Sequence, residues 1–189
     1  IEPDDVEWSV GGNGGPLPES SGGFALPRAL VAMASVAFQA RSDERFGLLY
    51  SLVWRAHAGE PIMDRPDDPD LRLARRMALA VRTDAHRMRS HLRFMPTGDR
   101  LLGWYAPEHR VLEANAQLIA HRFPADPFSI VAPDASAHWD GSALTFGDGL
   151  ATPEDDDTLA AWWDAHGDTI LAQSRTGTSI PEAEDLDEA

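Results

Sequence analysis

From Asp70 to Phe94 the chain reads DLRLARRMALAVRTDAHRMRSHLRF, and its apolar residues recur at helical spacing. At about 100° per residue, Leu73, Met77, Ala80, Val81, Ala85, Met88 and Leu92 share one side of a long helix. Arg72, Arg75, Arg82, His86, Arg89 and Arg93 fall within an arc of about 100° on the other. A row of guanidinium groups suits phosphates or an acidic partner; the plainer reading is a solvated polar face. A face of nearly one sign repels itself unless something neutralises it. Asp84 breaks the pattern. It lies on the apolar side, where a carboxylate requires a partner, Arg55 being one such, or a task.

The pattern on either side predicts further helices and short strands. Asp4 to Val10 alternates weakly, as a short edge strand would, and Gly11 to Gly23 is a Gly/Pro/Ser-rich linker. Pro27 opens a helix over Arg28–Ala40, apolar almost all round and so expected to be buried. Ser42 caps a second helix, Asp43–Ala58, with Gly59 beyond its end. After the long helix the period changes. Leu92–Met95 and Leu101–Tyr105 flank a Pro-Thr-Gly-Asp turn, Pro107–His121 is helical, and 128–131, 137–139 and 143–146 read as strands. Asp140-Gly141 joins the last two as a hairpin turn, and Asp155–Ala172 closes the domain as a helix. The expected architecture is α+β: one domain over 24–172, helices on a small antiparallel sheet, between an acidic segment 1–23 and an acidic tail 173–189.

Charge changes this picture more than composition does. The 189 residues are 43% hydrophobic, sufficient for one sizeable core. The net charge of −15 argues against nucleic acid only as an average. Residues 148–189 hold twelve acids against Arg175, and 1–23 hold five against none, so the body between them is close to neutral. An acidic tail folded over the basic helix would be autoinhibitory, and deleting 173–189 would then strengthen DNA binding. All sixteen basic residues are arginine. The absence of cysteine excludes thiolate-held iron–sulfur clusters and a cysteine nucleophile in this chain. It also fits a reducing, cytoplasmic setting. No 18-residue apolar run or secretory leader is visible, so no membrane role is expected.

Catalytic candidates are few. Asp84, His86 and Arg93 could form a site near the end of the long helix, although on the wheel Asp84 and His86 point about 160° apart. His138-Trp139-Asp140-Gly141 resembles a charged cluster but reads better as a hairpin with Trp139 on the sheet's core side. Trp104 and Tyr105 could stack bases or fill the core. No histidine pair has the i, i+4 spacing of a helical zinc motif, so no metal is expected, and no sequence motif calls for a cofactor.

Several ordered segments carry a resemblance. They are Phe46–Arg55 with Gly59-Glu60-Pro61; Ala80–Met88 running on to Leu92-Arg93-Phe94; and Trp104–His109. Arg122-Phe123, Phe128–Pro133 and His138–Gly141 complete the set. Over roughly 6–170 the chain resembles a bacterial domain of unknown function found in front of family-4-like uracil-DNA glycosylase domains, or encoded beside a radical-SAM protein. The resemblance implies a role in DNA repair or base modification and supplies no reaction. The glycosylase motifs and the radical-SAM cysteines are absent here. The family's basic Asn-Pro-Ala-Arg segment is replaced by Ile170–Pro181 followed by acid.

The expected function is an accessory domain that binds DNA, single-stranded or lesion-containing, or a glycosylase or radical-SAM partner. Its contacts would be Arg72, Arg75, Arg82, His86, Arg89 and Arg93. The alternatives are a catalytic subunit using Asp84, His86 and Arg93, and a protein–protein adaptor without DNA contact.

Overall fold

The computed structural model describes residues 25–151, 156–173 and 175–176. The expected strand over 4–10, the linker and the tail beyond 176 lie outside the described residues. The fold is α+β, and the chain divides into two compact units at Thr83/Asp84, inside the long helix.

The first unit contains α1 (Arg28–Ala37), α2 (Arg45–His57), a 3-10 turn at Ile62–Asp64 and the start of α3 (Pro69–His91). Pro27 precedes α1, and its carbonyl accepts the Leu30 and Val31 N–H groups. Helix α1 is amphipathic rather than buried all round. Leu30, Met33 and Val36 enter the core, while Val31 and Phe38 are exposed. Helix α2 starts later than expected, with Glu44 at the cap position; the Ser42 carbonyl instead accepts the Arg45 side chain at 2.6 Å. Gly59, at φ +87°, ends the turn after α2 in the left-handed conformation that glycine adopts most readily.

Arg55 is engaged inside this unit. It pairs with Glu60 at 2.8 Å, with Asp68, and with Asp70 at 3.2 Å. It is therefore not the partner of Asp84. The Arg55 hydrogen bond holds the Asp68 carboxyl down at about 2, and Asp68 Oδ1 also accepts the Leu71 N–H in the first turn of α3.

The second unit holds the end of α3, a six-stranded sheet, α4 (Leu112–Arg122) and α5 (Asp156–Gln173). The strands are β1 (Phe94–Thr97), β2 (Arg100–Trp104), β3 (Phe128–Val131), β4 (Ser136–Trp139), β5 (Leu144–Gly147) and β6 (Arg175–Thr176), ordered in the sheet as in the chain. The sheet is mixed rather than wholly antiparallel. β2 and β3 run parallel, with Leu102 opposite Ser129, and α4 is the crossover a parallel pair requires. β6 pairs with β5 within the stretch expected to be tail.

Alternation along the strands makes two faces. Leu102 and Val131 pack with Leu159 and Trp163 of α5, and Trp104 joins this cluster while donating its indole N–H to the Leu150 carbonyl at 3.4 Å. Trp104 is thus a core residue and not a free stacking surface. Phe128, Ile130 and Ala137 alternate onto the other face and are fully covered, as is Ala116 of α4. The Asp140-Gly141 turn forms as expected. Asp140 Oδ1 accepts the Ser142 and Ala143 N–H groups at 2.7 Å, which lowers its pKa, and Gly141 sits at φ +95°.

Candidate functional site

Helix α3 buries a ridge slightly rotated from the expected one. In the first unit Leu71, Ala74, Ala78 and Val81 are covered, whereas Ala80 is exposed. On the exposed side stands Leu79, the most exposed large apolar side chain among the described residues at 66%. Around it stand Arg72, Arg75, Arg76 and Arg82, all exposed and none paired with a carboxylate among the described residues. Three of these arginines are in the expected stripe. Arg76 and Leu79 lie on the same side of the wheel, about 60° apart, and the sequence reading names neither.

In the second unit the stripe arginines Arg89 and Arg93 are exposed and also have no carboxylate partner among the described residues. Arg89 donates to Asn115 Oδ1 at 2.7 Å, and the Asn115 amide donates to the Ala85 carbonyl at 3.3 Å, clamping α4 to the end of α3. Arg87, outside the predicted stripe, pairs with Glu108 at 2.7 Å. His86 is exposed, with Nε2 3.5 Å from Ser90 Oγ, and Arg93 is exposed beyond the helix end.

Asp84 is 2% exposed. Its Oδ2 accepts the backbone N–H of His109 at 2.8 Å, and Oδ1 is covered without a hydrogen-bond partner. This contact delays α4, expected from Pro107, until Leu112 by holding the preceding loop in a non-helical path. Asp84 and His86 share no contact, and Arg93 joins neither, so the structure does not gather the three into one group. Tyr105 lies half-buried close by; burial raises its hydroxyl pKa and the Asp84 charge adds to the effect.

A second polar assembly escaped the sequence reading, which placed His138 only in a hairpin. His138 is 2% exposed and hydrogen-bonds Ser129 Oγ through Nδ1 and Ser136 Oγ through Nε2, both at 2.9 Å. Arg100 donates to Ser129 Oγ at 3.1 Å, and Ser136 donates to the Asp148 carbonyl at 2.6 Å. Each hydroxyl has one proton to give. Ser136 uses its proton on the carbonyl, so Nε2 carries the imidazole proton and Ser129 donates to Nδ1. The chain of donors runs one way, from Arg100 to Asp148, with the ring neutral. Burial, with the Arg100 charge adding to it, lowers the His138 pKa to about 4.

Arg100 also lies 5.6 Å over the Trp163 ring. It borders an open groove of about 220 Å³ with Asp99, Asp164, Asp168 and Leu171. Among the described residues no three His, Asp or Glu side chains are placed to hold a metal ion, and no helix is long and apolar enough to cross a membrane.

No curated protein matches the chain, and no solved structure does. One family does match, the Domain of unknown function DUF4130, over residues 43–184. That span takes in α2, all of α3 and the whole sheet. The chain belongs to the DUF4130 family.

Proposed function

We propose that this chain is an accessory domain in DNA repair or base modification, binding DNA through the exposed arginines of α3. The observation that carries the reading is the set Arg72, Arg75, Arg76 and Arg82. Four guanidinium groups stand on one face of one helix without carboxylate partners among the described residues, while Arg55, Arg65 and Arg87 are paired. Such a face gains counterion-release free energy on meeting phosphates. The resemblance to a domain placed before uracil-DNA glycosylases or beside radical-SAM proteins supports DNA as the polyanion, with an enzyme of one of those classes as the partner. The catalytic reading has less support, because Asp84 bonds the His109 backbone and His86 lies by Ser90, with no contact joining either to the other or to Arg93.

Fluorescence anisotropy with labelled single- and double-stranded DNA across a salt series tests this. The logarithm of the binding constant is expected to fall linearly with the logarithm of salt. Replacing the four arginines together by Ala should remove about 3 to 4 from the magnitude of the slope, at about 0.9 per duplex phosphate contact. Absence of binding at low salt, or an unchanged slope in the variant, refutes it and turns the face toward an acidic protein.

A further inference from the structure

Leu79 is the residue that simple phosphate binding does not explain. It stands at the middle of the arginine face with Arg75 and Arg76 about one turn before it and Arg82 about one turn after. Leu79, exposed to 66%, gives the arginine face an apolar centre that phosphate contacts alone leave unused. From Arg72 to Arg82 the face is about 15 Å long at 1.5 Å per residue, and a helix of ordinary diameter enters the DNA major groove, which is about 12 Å wide.

In that groove the charges and the apolar group find different partners. Arginines on the flanks of the face reach phosphates on the groove walls. The side chain at the centre faces the floor, where the apolar group on offer is the 5-methyl of thymine. We propose that α3 docks in the major groove of duplex DNA and that Leu79 contacts thymine methyl groups. The helix thereby favours thymine over uracil at the positions it covers. This rests on the DNA-binding reading above and adds to it a groove, a duplex and a base feature.

The test uses two duplexes that differ by the methyl group, alternating dA–dT and alternating dA–dU copolymers, titrated with the full chain and its Leu79→Ala variant at several salt concentrations. The chain is expected to bind dA–dT about fourfold more tightly for each methyl covered, the transfer value of one buried carbon. Leu79→Ala should bind both copolymers equally with its salt slope intact. Equal binding of both copolymers by the unmodified chain, with a normal salt slope, overturns the methyl contact and leaves DNA binding standing. A preference that persists in Leu79→Ala also overturns it, since groove shape would then be the cause. No salt-dependent binding to either copolymer removes the DNA-binding reading and the inference with it.

Discussion

Replacing Gly149 by Ala is expected to destabilise the second unit by about 3 kcal/mol, the upper end of what overpacking ordinarily costs. The reason is space and not backbone angle. A Cβ at Gly149 would lie 2.3 Å from the Ala132 carbonyl oxygen, 2.4 Å from the Ala135 nitrogen and 2.6 Å from the Asp134 nitrogen. All three are main-chain atoms of the tight turn joining β3 to β4, so no side chain can swing aside. The turn is already closed by Ala132 donating to the Ala135 carbonyl at 2.8 Å, and Leu150 donates to the Ala132 carbonyl at 3.0 Å. Relief of the clash would break the Leu150 hydrogen bond and draw Leu150 away from Trp104. Against a typical domain stability of 5–15 kcal/mol, that loss is large. Urea unfolding of the two forms measures it; a difference below about 1 kcal/mol would mean that the turn yields, contrary to its bonding.

The second large effect is expected on acidification, with His138 as its source. The ring is neutral in the folded protein down to about pH 4, whereas in the unfolded chain it titrates near 6.5. Above pH 6.5 neither state takes the proton and the network contributes in full. As pH falls from 6.5 toward 4 the unfolded chain binds a proton that the folded one refuses, so stability declines by up to about 1.4 kcal/mol per unit. Over the window the loss approaches about 3 kcal/mol. Below it Asp68 adds a smaller loss between about 3.8 and 2, as its Arg55-bound carboxylate is protonated. Urea midpoints between pH 7.5 and 4.5 should fall for the native chain. They should stay nearly level for His138→Gln, which starts lower because the amide reproduces the two serine contacts poorly. Parallel declines in both would assign the acid sensitivity elsewhere.

Local pattern made much of this architecture legible. The helical period marked α3 to within two or three residues, Asp140-Gly141 marked the β4–β5 turn, and Pro27 and Gly59 marked helix ends. What escaped was set by partners distant in the chain. Nothing near Leu101 or Phe128 says that β2 and β3 run parallel; that follows from α4 crossing over between them. Asp84 was recognised as anomalous, but its partner is a backbone N–H 25 residues on, and main-chain groups leave no mark in a sequence. His138 and Ser129 meet because register places them opposite each other across β3 and β4. Of the expected stripe, Arg72, Arg75, Arg82 and Arg93 have no carboxylate partner among the described residues, while Arg89 also bonds Asn115, a buried amide with no counterpart in a charge pattern.

The strand order of the sheet has a kinetic consequence. Each strand lies beside the one made just before it, and apart from the α4 crossover and the β5–β6 connection through α5 every pairing closes a short loop. Loop-closure entropy is small for such steps, so the sheet can grow one strand at a time from the β1–β2 hairpin without waiting for distant chain. During synthesis β1 to β5 can pair in the order in which they leave the ribosome, each covering the open edge of its predecessor. The first five strands should therefore pair rapidly, with the β2–β3 closure across α4 as their slowest step. Folding variants placed in α4 should slow refolding more than those placed in the β4–β5 turn.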